Sequence, residues 1–214
     1  MIILVGGEKG GTGKSCLSQN LSVYLQLINR DVVLIDADAQ QTSTMWNKAR
    51  AENPEVKAFQ LTSAIGDLTD LIAELSLKHK DIVIDCGAGD SPTLRSCMLS
   101  ATHFLIPLQP NLRDTSTLGK VSQLTELAQK MNSNLYIRTV LTRCPTLPAQ
   151  FPRILHAKEL SKKFGIEPLN AITCNRIIYD DAEAYGLSVF EAGRDIKARY
   201  EIMEIAEEFL GVKA

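Results

Sequence analysis

The densest chemistry in the chain lies near its start, in the run Gly6-Gly7-Glu8-Lys9-Gly10-Gly11-Thr12-Gly13-Lys14-Ser15. Glycines let successive backbone N–H groups curl inward around an anion without Cβ clashes, and a helix N-terminus behind them adds positive potential. Lys14 supplies a full charge for β- and γ-phosphate oxygens, and Ser15 offers a hydroxyl ligand for Mg2+. The run is therefore expected to hold a nucleoside triphosphate through Lys9, Gly10, Gly11, Thr12, Gly13, Lys14, Ser15 and Cys16. The strict pattern GxxxxGK[ST] fails at its first position, where Glu8 stands in place of glycine. Two other places carry carboxylates suited to the same site. Asp85 follows the apolar run Ile82-Val83-Ile84 and precedes Gly87 and Gly89, so it is expected at the carboxyl end of a buried strand, facing a Mg2+ held by Ser15. A turn cap is the plainer role for such an aspartate, and the coincidence of strand, acid and glycines favours the metal. Asp36 and Asp38 end another apolar run two residues apart, so that one faces Mg2+ and the other a water.

The elements that must position these groups are legible as short apolar runs alternating with amphipathic segments. Runs of this kind point to strands buried on both faces, hence an α/β, doubly wound, mostly parallel sheet flanked by helices. Strands are expected at Ile2 to Val5, Val32 to Ile35, Val56 to Leu61, Ile82 to Ile84, Phe104 to Leu108, Tyr136 to Leu141 and, more weakly, Pro168 to Ile172. The first helix should begin at Lys14 or Ser15 and run to Asn29, with Leu17, Leu21, Tyr24, Leu25 and Ile28 at helical spacing. Other helices are expected at Gln41 to Glu52, Ser63 to Leu77, Pro92 to Ala101, Thr115 to Met131, Pro152 to Phe164, Asp180 to Tyr185 and Arg194 to Leu210. No repeat or low-complexity linker interrupts the pattern, so residues 1–214 are expected to form one domain.

Composition narrows the function. The 214 residues carry 23 Lys and Arg against 25 Asp and Glu, a formal charge of −2, with no basic tail to announce a nucleic-acid partner. Five cysteines without a CxxC pair fit neither a disulfide framework nor a zinc ribbon, and a reducing cytoplasm is the natural setting. The apolar start, Met-Ile-Ile-Leu-Val, is too short for a secretion signal or a membrane span. The histidines, His79, His103 and His156, are scattered without metal spacing.

The string Lys9-Gly10-Gly11-Thr12-Gly13-Lys14-Ser15 resembles the deviant Walker A motif of the ParA/MinD family of P-loop ATPases. Leu34-Ile35-Asp36-Ala37-Asp38-Ala39-Gln40 resembles the family's switch I, with Ala39 replacing its proline, and Ile82 to Gly89 is similar to its Walker B strand and switch II. The likeness continues through Ile106-Pro107-Leu108-Gln109-Pro110 and Leu141-Thr142-Arg143 to Ser188-Val189-Phe190-Glu191, and suits the small partition-type branch, since nothing before Met1 would hold a helix-turn-helix.

The resemblance implies an ATP- and Mg2+-dependent ATPase with weak basal turnover that forms a homodimer on ATP. Asp38 would position the attacking water, Lys14 would bind phosphate in its own subunit, and Lys9 would reach the partner's phosphates in trans. A centromere-binding or adaptor protein would stimulate hydrolysis, nonspecific DNA would bind the dimer, and the protein would be cytoplasmic and nucleoid-associated. The cargo would be plasmid or chromosomal DNA; a protein cargo, or a small-molecule ligase or kinase on the same scaffold, are the alternatives. Thr142 and Arg143, with Cys174-Asn175-Arg176 at the same sheet edge, either approach adenine or are ordinary loop polars. Cations for DNA are sought at Lys158, Lys162 and Lys163 and at Arg194, Lys197 and Arg199, where solvated helix faces are the alternative. Membrane attachment is not expected, because the last helix carries Glu201, Glu204, Glu207 and Glu208. Cys16 and Cys86 are expected to be open to thiol reagents that ATP would block, and Trp46, just after switch I, to report nucleotide state by fluorescence.

Overall fold

The computed structural model describes residues 1–193 and 195–213. In chain order the elements are β1 (Ile2–Gly7), α1 (Lys14–Leu27), β2 (Val32–Ala37), α2 (Thr42–Glu52), β3 (Leu61–Ser63), α3 (Thr69–Lys78), β4 (Asp81–Ala88), α4 (Pro92–Ser100), β5 (His103–Leu108), α5 (Leu112–Thr115), α6 (Leu118–Met131), β6 (Tyr136–Cys144), α7 (Phe151–Lys163), β7 (Pro168–Cys174), α8 (Ile177–Ala184) and α9 (Ile196–Leu210). The strands form one seven-stranded sheet in the order β3-β2-β4-β1-β5-β6-β7. Every recorded pairing is parallel, so the sheet is fully parallel rather than mostly so.

The apolar runs are continuous because each strand feeds two cores. Ile3, Val5, Leu34, Val83 and Leu105 face one layer, where Leu17, Leu21 and Leu25 of α1, Trp46 of α2 and Ile202, Ile205 and Phe209 of α9 pack. Leu4, Val33, Ile35, Ile84, Phe104 and Ile106 face the other, against Ile72 of α3, Leu94 and Met98 of α4 and Val121 of α6. Period-two alternation within each strand thus serves both helix layers. β1 lies at the centre of the sheet with β4 on one side and β5 on the other, and the loops at its carboxyl end open into the crevice where doubly wound sheets bind ligands.

Three expectations are corrected. The strand expected at Val56 to Leu61 shrinks to β3, Leu61–Ser63. Residues before it satisfy their backbone on α2 side chains: Asn47 donates to the Phe59 carbonyl and accepts from the Phe59 N–H, and Arg50 donates to the Lys57 carbonyl. The helix expected from Ser63 starts only at Thr69, after Gly66 at φ 102° and an Asp67 side chain that accepts from the Thr69 N–H and hydroxyl. The helix expected from Thr115 divides into α5 and α6, because Asn111 caps an extra turn by accepting from the Asp114 N–H at 3.0 Å. Elsewhere the boundaries move by a few residues. Arg194, expected to open the last helix, lies outside the described residues; α9 begins at Ile196, capped by Asp195.

Candidate phosphate and metal site

Residues 8–13 leave β1 and turn back into α1, whose N-terminus faces the loop. Gly11 and Gly13 take φ of 75° and 88°, values that favour glycine, which explains why the sequence spends glycine there. Neighbouring strands brace the loop from outside. The Thr142 hydroxyl, at the end of β6, donates to the Thr12 carbonyl at 2.7 Å, and the Gln109 amide after β5 donates to the Gly11 carbonyl at 2.8 Å.

The two lysines of the loop point to different places. Lys14 is 6% exposed and its ammonium donates to the Lys9 carbonyl at 2.8 Å, stretched across the loop. Burial lowers its pKa below the usual 10.5, opposed by the charges of Asp85 and Asp38. Lys9 turns away from the loop, its ammonium 3.0 Å from Asp114 on α5. The other Asp114 oxygen accepts from the Gln109 N–H at 2.9 Å, so α5 ties both Lys9 and the bracing Gln109.

Asp85 and Asp36 are Cα partners on adjacent strands β4 and β2, both fully buried. The Asp85 carboxylate is ringed by hydroxyls: Ser43 donates to Oδ2 at 2.7 Å, Ser15 also bonds the group, and Ser18 approaches Oδ1 at 3.5 Å. Burial pushes its pKa up to about 7 against those hydroxyls, with Asp36 and Asp38 adding like-charge repulsion. Asp36 is oriented differently. Its Oδ2 accepts from both the N–H and the hydroxyl of Thr44 at 2.7 Å, and its Oδ1 from the Asp38 N–H at 3.2 Å. The expectation that Asp36 faces the metal is therefore corrected: its oxygens anchor the first turn of α2. Asp38 is partly exposed, and its carboxylate lies over Gly87, where an added Cβ would come within 3.3 Å of its carboxyl carbon. A side chain at Gly87 would therefore press on Asp38 and shift it.

The donor set around Asp85 is hard oxygen, one carboxylate with serine hydroxyls, and Asp85 has no ion pair among the described residues. Among those residues no three His, Cys, Asp or Glu side chains converge on a common point. A cation here would take few protein ligands, the pattern of Mg2+, which keeps waters and leans on substrate phosphates.

The base edge is partly as expected. Gly13, Cys16, Arg143, Asn175, Arg176 and Asp180 line a cleft between the loop and the ends of β6 and β7. Thr142 lines the same cleft but is buried at 2% exposure and donates its hydroxyl to the Thr12 carbonyl, so its hydroxyl braces the loop. Arg143, at φ 48°, reaches Asp180 at 3.4 Å, while Arg176 is held by Glu201 at 2.8 Å.

Three further expectations change. Burial holds the Cys16 thiol up to about 12, with Glu183 adding to the rise, and its hydrogen bond with Cys97 together with burial holds Cys86 far above the usual thiol range; neither is a ready nucleophile. The lysine cluster on α7 is partly spent, Lys158 on the Asn170 carbonyl and Lys162 on Glu167, which leaves Lys163 exposed. Arg199 turns back onto the carbonyls of Val189 and Gly193, while Lys197 is exposed. The acids of α9 are structural as well: Glu201 holds Arg176 and Tyr179, and Glu208 accepts from the N–H groups of Asn170 and Ala171. Among the described residues no helix is long and apolar enough to cross a membrane.

Sequence reasoning missed Ser43, Thr44, Gln109 as a brace, and Asp114. Gln109 stood in a motif already singled out, and Thr44 lies only eight residues from Asp36; Ser43 with Asp85 and Asp114 with Lys9 carried no signal, because these partners lie far apart in the chain.

Comparison with known proteins agrees with this fold. Residues 3–173 match the family described as the CobQ/CobB/MinD/ParA nucleotide binding domain. The chain is 21% identical to the chromosome-partitioning ATPase Soj of Thermus thermophilus, over 97% of its own length and 94% of Soj. Among solved structures it is similar to the septum site-determining protein MinD of Pyrococcus horikoshii in complex with Mg-ADP, at a TM-score of 0.75 and 21% identity, covering 97% of this chain and 94% of MinD. A plasmid partition protein of Borrelia burgdorferi bound to AMPPNP gives a TM-score of 0.72 at 20% identity, with 98% of each chain covered. The fold is thus the P-loop fold of these ATPases.

Proposed function

Since the chain belongs to the CobQ/CobB/MinD/ParA nucleotide binding domain family, we propose that it is a ParA-type partition ATPase, which dimerises on Mg-ATP, binds DNA nonspecifically and positions a DNA cargo. Hydrolysis is slow alone and is stimulated by a centromere-binding or adaptor partner, in the cytoplasm at the nucleoid. The relatives' names support partitioning: Soj is a chromosome-partitioning ATPase and the Borrelia protein a plasmid partition protein.

In this reading the backbone of residues 10–15 cradles the phosphates, Lys14 swings from the Lys9 carbonyl onto the β- and γ-oxygens, and Ser15 and Asp85 hold Mg2+. Held there, the cation would supply neutralisation of charge on the phosphate oxygens. Asp38 positions the attacking water from its place over Gly87, and the cleft beside Arg143 and Asn175 receives the base. Of the two cation clusters, the exposed Lys163 and Lys197 would meet DNA phosphates.

The observation that carries the dimer is the divergence of the two lysines. Lys14 already serves its own loop, whereas Lys9, a third exposed, holds its ammonium on the buried carboxylate of Asp114 and leaves the loop's own cradle to Lys14. A cation so placed suits the phosphates of a facing subunit. Light scattering of the wild type and Lys9→Gln with ADP, ATP or no nucleotide, with and without duplex DNA, tests this. We expect an ATP-only dimer that binds DNA, and a Lys9→Gln protein that binds ATP yet stays monomeric with no turnover. A dimer indifferent to ATP and to Lys9 would overturn the reading in favour of a small-molecule ligase or kinase.

A further inference from the structure

Helix α2 starts directly after the Asp36-to-Asp38 segment, and two consecutive residues of its first turn each hold one of the paired carboxylates. Thr44 donates twice to Asp36, both at 2.7 Å, and Ser43 donates to Asp85 Oδ2 at 2.7 Å. Ser43 is fully buried, and its oxygen also accepts from the Gln19 amide of α1 at 3.3 Å, which aims its single hydroxyl proton at Asp85. Three elements therefore meet at one serine: α1, which begins with the phosphate-binding Lys14 and Ser15; α2, which follows switch I; and β4, which carries Asp85.

We propose that Ser43 is a positioning residue that fixes the Asp85 carboxylate for the metal and couples metal binding to the placement of α2. With Oδ2 engaged by Ser43, the carboxylate cannot spin about its terminal bond, and Oδ1 is turned toward the α1 side, where Ser18 approaches it. Outer partners of this kind orient metal ligands, and their loss costs about 10- to 100-fold in metal affinity. The same bond makes the start of α2 sense what happens at Asp85. Trp46, three residues further along α2, is 2% exposed and donates to the Leu187 carbonyl at 3.0 Å, so a shift of α2 alters its surroundings.

The inference rests on the Mg-nucleotide reading, and its test separates the two. Binding of a fluorescent, non-hydrolysable ATP analogue is measured in EDTA and across a Mg2+ titration, together with Trp46 emission, for wild type, Ser43→Ala and Ser43→Thr. We expect Ser43→Ala to bind the analogue in EDTA within about twofold of wild type, to need about 10-fold or more Mg2+ for half-saturation, and to lose the Mg2+-dependent change in Trp46 emission. Ser43→Thr, which keeps the hydroxyl, should restore both. A Ser43→Ala protein with the wild-type Mg2+ midpoint overturns the proposal, as does a loss of binding equal in EDTA and in Mg2+, which would make the serine merely structural. Wild type that binds no analogue under any condition overturns the nucleotide reading itself.

Discussion

Replacing Arg50 with alanine should be among the most costly single substitutions in this protein. The side chain is 1% exposed yet carries a full charge, and its guanidinium is used on every edge. It donates to both oxygens of Glu191 at 2.7 and 2.9 Å, to the Gly186 carbonyl at 2.9 Å and to the Lys57 carbonyl at 3.0 and 3.2 Å, with its plane against Trp46 and Phe59 at 4.8 and 5.3 Å. Its removal leaves two carbonyls unpaired and Glu191 with only the N–H and hydroxyl of Ser188. Breaking a buried pair from one side costs about 3–5 kcal/mol. At about 2–4 °C per kcal/mol for a chain of this size, the melting temperature should fall by about 6–20 °C.

The assay is thermal unfolding by circular dichroism, at low and high salt and across pH. A buried pair is little screened, so the deficit should persist at high salt. Burial alone would raise the Glu191 pKa, but the hydrogen bonds from Arg50 and Ser188 outweigh it and hold the carboxyl below its ordinary 4.5. A depressed carboxyl contributes stability above its unfolded pKa and loses it as pH falls through the folded one. The gap between wild type and Arg50→Ala should therefore be full near neutrality and narrow below pH 4.5. A melting shift under about 2 °C at pH 7 would refute the reasoning that α2 is clamped to the 186–191 segment through this charge.

Two other substitutions probe the site and its support. Asp85→Asn should raise the melting temperature of the metal-free protein at pH 8 by several degrees, because the buried carboxyl, pushed up to about 7, keeps its proton longer than the unfolded chain does; wild type thus loses stability as pH rises from 3.8 toward 7, and the amide variant does not. The same variant should lose the Mg2+ dependence of nucleotide binding, and an unchanged or lower melting temperature would contradict the assigned burial. Gly186→Ala places a Cβ 2.4 Å from the Arg50 backbone nitrogen at φ 68°, so it should unfold at least as readily as Arg50→Ala; melting within about 2 °C of wild type would show that the loop relaxes freely.

How much of this was legible depends on how far apart in sequence the partners lie. The glycine loop between β1 and α1 and the double-sided strands were readable because glycine spacing and apolar runs are local, and the burial of Asp85 declared itself by its following such a run. The strand expected at Val56 to Leu61 misled because Phe59 is apolar for a different reason: it packs on Trp46 and Arg50, not in the sheet. The division of α5 from α6 had a local signal that was passed over, Asn111 three residues before Asp114, in the position of an N-cap. The partnership of Lys9 with Asp114 had none, since strand order alone brings β5 beside β1.

Asp36 is the instructive case, because its type, spacing and burial all suited a metal ligand. The register of β2 on β4 sets it directly beside Asp85. Two buried carboxylates side by side repel, and a single cation between them would be the simple remedy. The fold instead spends the first turn of α2 on both, Thr44 on Asp36 and Ser43 on Asp85. The kind of donor then separates their roles: Asp36 accepts two backbone N–H groups as well as the Thr44 hydroxyl and is committed to holding the backbone, whereas Asp85 is met by serine hydroxyls. A residue's candidacy for a metal therefore rested less on the aspartate than on the helix that follows it. That helix is tied at its far end by Arg50 to Glu191, so Arg50→Ala loosens the element whose first turn holds both carboxylates.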